Sequence, residues 1–233
     1  MPRIHFQLQL AELKDKVLAM AALSQQAVAS AVDAYLQRDA RACQYVRENE
    51  TAINTAHREL DDMAFDLLAK EQPMAVDLRF ILTVIKINGD LERIGDQAMN
   101  IAYRCLDLID EPVADLPVDI GGMGEYAGRM IRSSIQALLD GDAQLADSVR
   151  EMDDEIDRMN RVAQADLTRV IQERPAVVLE ALQAIIVCRN LERIADHATN
   201  ISTDVIFWIR GADVRHQLST ADDSRPRALE PLH

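Results

Sequence analysis

From Arg3 to Gln72 the chain contains neither glycine nor proline, and the same holds from Asp142 to Arg174 and from Ala176 to Arg210. Strands are short, and the turns between them lean on those two residue types. With 8 glycines, 7 prolines and 4% aromatics in 233 residues, a sheet or barrel has too few turn formers. Long uninterrupted helices are what remain, so the chain is predicted to be all-α. At 48% apolar and 27% charged it can bury a real core, which excludes global disorder.

The breakers cluster, and the clusters outline the architecture. Pro73 and Pro175 each sit between two long runs, while Pro112, Pro117, Gly121, Gly122 and Gly124 mark a linker over about 110–124. Six helices in two sets of three are expected, over about 6–38, 40–70, 76–109, 124–139, 143–173 and 176–209. Asp39 and Asp142 stand where N-caps belong. The organisation is therefore a first three-helix bundle over 1–110, a second over 124–216, and a tail over 217–233 expected to be disordered.

Helix three alternates apolar residues by threes and fours at Val84, Ile87, Leu91, Ile94, Ala98, Ile101, Cys105 and Leu108, the seam of a bundle. A hundred residues later stand Ala184, Val187, Leu191, Ile194, Ala198, Ile201, Val205 and Trp208, again apolar or small. Helix two has its own seam at Val46, Ile53, Leu60 and Leu67, and Ile53 repeats as Ile156. An internal duplication of about a hundred residues follows. The expected fold is two tandem antiparallel three-helix bundles.

Asp90 to Ile101 aligns with Asn190 to Ile201, and eight of the twelve positions are identical. Leu, Ile, Ala and Ile serve the seam, but the polar pattern Glu-Arg-x-x-Asp-x-x-x-Asn needs another reason. Residues at i, i+4 and i+8 climb about 6 Å and drift about 40° per step, so Glu92, Asp96 and Asn100 form a slanted strip of oxygen donors, repeated as Glu192, Asp196 and Asn200. Folding helices two and three about Pro73 sets Asn54 level with Glu92 and Glu50 level with Asp96. Folding about Pro175 sets Asp157 opposite Glu192 and Asp153 opposite Asp196, within a residue of level. Two like charges at i,i+4 oppose helix formation, and a hard cation between them reverses the sign. The neighbouring exposed positions differ between the repeats (Gln97 and His197, Met99 and Thr199) while the donors do not. Metal or cation binding at both patches is the expectation. The bland alternative is a solvated acidic face, with Arg93 and Arg193 neutralising Asp96 and Asp196.

Other chemistry is thin. His197 beside Asp196 reads as a satisfied surface histidine, since the first repeat has Gln97 there. Ala56-His57-Arg58-Glu59-Leu60 bears a faint likeness to a phospho-accepting kinase helix, without the rest of a kinase. No P-loop, dinucleotide fingerprint, nucleophile elbow or Glu-x-x-His di-iron spacing is present. Acidic residues number 39 against 25 basic, a net charge of −14, which disfavours nucleic acid and anionic lipid. Cys43, Cys105 and Cys188 are odd in number and outside any CxxC, as expected of structural thiols in a reducing compartment. The first residues lack the apolar core of a signal peptide and no apolar run approaches a membrane span, so a cytoplasmic protein is expected.

At Glu-Gln-Pro-Met-Ala-Val-Asp-Leu-Arg (71–79), Leu-Glu-Arg-Ile-Gly-Asp (91–96), Leu-Glu-Arg-Ile-Ala-Asp (191–196) and the closing segment 205–216, the chain resembles the PhoU family of phosphate-transport regulators. The likeness runs in order from about Phe6 to His216. It implies two like three-helix bundles, often in a homodimer. It also implies E(D)-x-x-x-D motifs that bind iron or zinc in some members and magnesium or manganese in others. These fall on Glu92/Asp96 and Glu192/Asp196, with Glu50/Asn54 and Asp153/Asp157 as partners. Asn54 makes the first patch less anionic than the second, and Ala195 replaces the family's usual glycine. The resemblance further implies a non-enzymatic adaptor between the phosphate ABC transporter's ATPase and a sensor histidine kinase, repressing the starvation response when phosphate is plentiful. A carboxylate-bridged metal enzyme and a purely structural bundle are the alternatives.

Overall fold

The computed structural model describes residues 2–211, with side chains from residue 4. Six α-helices follow one another: α1 (Pro2–Gln37), α2 (Ala40–Glu71), α3 (Val76–Leu106), α4 (Ile120–Asp140), α5 (Ala143–Glu173) and α6 (Val178–Arg210), with a short 3-10 turn at Pro175–Val177 before α6. No strand occurs among the described residues. The segment 217–233, expected to be disordered, lies outside them.

Both expected N-caps form. The Asp39 carboxylate accepts from the amides of Arg41 and Ala42, and the Asp142 carboxylate from those of Gln144 and Leu145. Helix α4 differs from its expected span, starting at Ile120 rather than near 124. Asp119 caps it by accepting from the Gly122 amide, so the linker shrinks to 107–119. Gly124 belongs to the helix because α1 runs against it there: a Cβ would lie 2.8 Å from Cγ2 of Val32. Helix α3 ends at Leu106, three residues before its expected end at 109, where successive turns carry the chain away.

Helices α1, α2 and α3 pack on one another, as do α4, α5 and α6, and the two bundles join through α3 on α6 and α1 on α4. Helices α2 and α5 stand outermost, each touching only its own bundle. The eight seam residues of the first bundle, Leu108 just past the end of α3 among them, are all buried, as are seven of their eight α6 counterparts, Trp208 being half-buried. The core runs continuously through both bundles. At the seam between them the repeats part company. The Arg79 guanidinium donates to the Trp208 carbonyl at 3.2 Å, Thr83 Oγ1 to the Asp204 carbonyl at 3.3 Å, and Lys86 Nζ to the buried Asp204 carboxylate at 3.0 Å. Across the duplication the matching side chains are Leu179, Gln183 and Ile186, and of these only Gln183 bonds to α3, accepting from Arg104 at 3.4 Å.

Contrary to the expectation that no segment approaches a membrane span, residues 4–37 of α1 are long and apolar enough by length and composition. Half of that apolar window is buried within the protein, where it forms the inner face of a core helix.

Candidate functional site: two acidic patches

Each hairpin carries its donors on facing helices. Gly95 sets the approach in the first, since a Cβ there would lie 2.9 Å from Ile53 Cδ1. In the second repeat Ala195 fills the matching position and is fully buried, so the departure from glycine costs no oxygen donor.

In the second patch Asp153 and Asp157 of α5 face Glu192 and Asp196 of α6, the juxtaposition expected from counting outward from Pro175. Partial desolvation, then repulsion from Glu192, Asp153 and Asp157, raises the Asp196 carboxyl to about 6, against a smaller opposing pull from His197. Desolvation and Asp157 raise Glu192, with Arg189 and Arg193 pulling the other way and Asp153 adding a smaller repulsion. Desolvation also raises Asp153, opposed by the Thr199 hydroxyl, which donates to it at 3.1 Å, and reinforced by Asp157 and Asp154. Four carboxylates thus burden one another with negative charge.

The first patch is built differently. The Asn54 amide donates to Glu50 Oε1 at 2.6 Å, occupying one oxygen and quenching part of the charge. Glu92 is raised by desolvation and then by Asp96, opposed by His57 and Arg93, with Glu50 adding a smaller repulsion. His57, whose sequence context bears only a faint likeness to a phospho-accepting helix, stands instead beside this patch. Its Nε2 lies 3.7 Å from Asp61 Oδ2, and Asp61 is fixed by the Asn88 amide at 2.9 Å, which also donates to the His57 carbonyl. With Thr51, Asn54 and Arg58 it lines an open groove of about 460 Å³. The signal was there: His57 is one turn beyond Asn54, and its counterpart in the second repeat is Asn160.

The two outer members of the strips form no bond with the patches' partner helices. Asn200 donates to Asp90 Oδ1 of α3 at 3.5 Å, and Asn100 stands exposed one turn past Asp96. His197 is not a surface histidine. It is half-buried, with Nδ1 2.9 Å from the same Asp90 oxygen, and so faces the other bundle. Arg93 and Arg193 form no ion pair with Asp96 or Asp196 within bonding distance.

The oxygen-rich donor set of the second patch fits a hard cation. Its carboxylates crowd closely enough to perturb one another's ionisation, and among the described residues the one basic side chain within ion-pair distance is Arg161, 3.5 Å from Asp157 on the exposed side of α5. As placed, no three His, Cys, Asp or Glu side chains among the described residues converge tightly enough to grip an ion. Mutual repulsion between like charges favours such splayed rotamers.

The PhoU domain profile matches residues 17–105 and again 120–205, most of the chain. The chain belongs to the PhoU family. It is 39% identical over 212 residues to a phosphate-specific transport system accessory protein PhoU homolog of Pseudomonas putida, covering 91% of this chain and 83% of that one. A homolog of the same description from Caulobacter vibrioides is 33% identical, covering 92% and 94%. Among solved structures, PhoU from Pseudomonas aeruginosa superposes with a TM-score of 0.84 at 35% identity, covering 89% of this chain and all of that one. The phosphate transport system regulatory protein PhoU from Streptococcus pneumoniae gives 0.83 at 25% identity, covering 90% and 99%. The tandem bundle described above is this family's fold, and the family is one of accessory or regulatory proteins.

Proposed function

We propose that this protein regulates phosphate uptake and phosphate-starvation signalling as a cytoplasmic adaptor, docking on the transporter's ATPase subunit and on a sensor histidine kinase. In this reading it holds the starvation response off when phosphate is plentiful, and it acts as a homodimer. The observation that carries it is the match to phosphate-specific transport accessory proteins over nine-tenths of the chain. A rigid, twice-repeated helical frame with exposed faces on both bundles suits an adaptor. The test is a strain lacking this gene and carrying a phosphate-starvation reporter, grown in rich phosphate. The reporter should switch on, and one that stays silent would remove the adaptor reading.

In the same reading the patches hold cations, the second more tightly than the first. Asp153 and Asp157 would supply ligands from α5, and Glu192 and Asp196 from α6, so occupancy would tie the outermost helix of that bundle to its central one. A divalent or trivalent ion such as iron, zinc, manganese or magnesium would supply the positive charge that offsets the repulsion. Thr199 holds Asp153 in place, and Glu50 is held by Asn54. The metal-enzyme alternative loses support at the second patch, because His197, the base it would need there, is engaged by Asp90.

A further inference from the structure

Along the outward face of α6 five exposed residues follow one another at three- and four-residue spacing: Leu179, Leu182, Ile186, Arg189 and Arg193. The three apolar ones are 41%, 46% and 40% exposed. They form one line rather than the scattered single leucines common on any surface. The Arg104–Gln183 bond brings the end of α3 alongside, adding the exposed Tyr103. The duplication supplies an internal comparison, because the same line on α3 reads Arg79, Leu82, Lys86, Gly89 and Arg93. There Arg79 and Lys86 are spent on the bond to the Trp208 carbonyl and the ion pair with Asp204. On α6 the backbone is the same and the apolar side chains face outward.

Charge says what the α6 line fits. The protein carries a net −14, and Arg104, Arg158 and Arg169 hold carboxylates at 2.9, 2.6 and 2.7 Å. Arg189 and Arg193 lie near Glu192 without forming an ion pair at bonding distance. They prolong the apolar stripe as two exposed cationic turns whose guanidiniums make no ion pair at bonding distance. At contact range the two guanidiniums favour carboxylates beside the apolar residues of whatever covers the line.

We infer that the α6 line from Leu179 to Arg193 docks an amphipathic helix of a partner protein, whose apolar residues meet the leucines and isoleucine and whose Asp or Glu residues meet the two arginines. Leu179, Leu182 and Ile186 repeat at i, i+3 and i+7, so a partner helix with apolar anchors at the same spacing can pack its ridge along theirs. The inference deepens the adaptor reading and rests on it for the biological partner, while the surface itself is testable without it.

The probe is a synthetic helical peptide with leucines at i, i+3 and i+7 and glutamates at i+10 and i+14, beside a twin with lysines for the glutamates. Both are titrated against the full chain by fluorescence anisotropy. The acidic peptide should bind at least about tenfold more tightly than its twin. Leu182→Glu should weaken it by about tenfold or more, and Arg189→Glu with Arg193→Glu should reverse the preference between the twins. Leu82→Glu, the matched change on α3, should leave binding unchanged, and equal melting temperatures of the two Leu→Glu variants would show that both fold alike. Equal affinity for both peptides, or insensitivity to Leu182→Glu, overturns the inference. So does a wild-type dimer that Leu182→Glu splits in the ultracentrifuge, which would give the face to a second copy. A flat titration leaves the reporter test of the adaptor reading standing, and a silent reporter leaves the titration standing.

Discussion

At the residue scale, Asp196 gives the most direct handle on the second patch. Its carboxyl is raised to about 6 in the folded protein, above the ordinary aspartate value of 3.8. The folded state therefore binds more protons than the unfolded one between those values, so metal-free stability falls as pH rises through that window. Asp196→Asn should flatten this fall and raise metal-free stability above pH 6 by up to about 1 kcal/mol, allowing for solvent screening. Chelator-treated protein melted from pH 4 to pH 8 checks it, and an unchanged slope would separate Asp196 from its neighbours. How much of the patch was legible is clear at this scale. The positions of Asp153, Asp157, Glu192 and Asp196 followed from counting outward from Pro175, because two rigid helices joined by a short turn keep equal distances level. The direction of Asn200 and His197 did not follow. A helical period says which residues share a face, not which of two neighbouring helices that face meets, and here Asp90 of the other bundle took both side chains.

At the scale of elements, the two hairpins should respond unequally. Glu192→Gln with Asp196→Asn removes two of four carboxylates that face one another, whereas Glu92→Gln with Asp96→Asn acts where Asn54 already tempers Glu50. Elemental analysis of protein purified without chelator should show the larger loss of bound metal in the first pair. No metal in the wild type, or no loss in either variant, would make both strips solvated faces. Helix α4 makes a separate prediction. Gly124→Ala drives a methyl to within 2.8 Å of a stiff, β-branched Val32, which should cost about 1–3 kcal/mol by chemical denaturation. Val32→Ala in the same chain should recover part of that loss, and full stability of Gly124→Ala alone would refute the close approach. The start of α4 was illegible for the same reason. A cluster of glycines looks like a loop until the helix that presses on it is known.

At the scale of the whole molecule, duplication built both halves and divergence gave them different work. The equivalent lines on α3 and α6 share a backbone plan. The first is fastened to the other bundle through Arg79, Thr83 and Lys86, and the second is open at Leu179, Leu182 and Ile186. Helices α2 and α5 are the outermost elements, so the two patches sit in separate hairpins. In the adaptor reading the patches take ions while the α6 line takes a protein. This is the physical content of the adaptor reading: separate surfaces on one rigid frame. The most direct test mixes the full chain with the cytoplasmic portion of the sensor kinase and the transporter's ATPase subunit and follows their masses by analytical ultracentrifugation. The adaptor account predicts a complex containing all three that does not assemble when this chain is left out. Three components that sediment separately at micromolar concentrations, or a kinase and ATPase that associate equally well without it, would contradict the account.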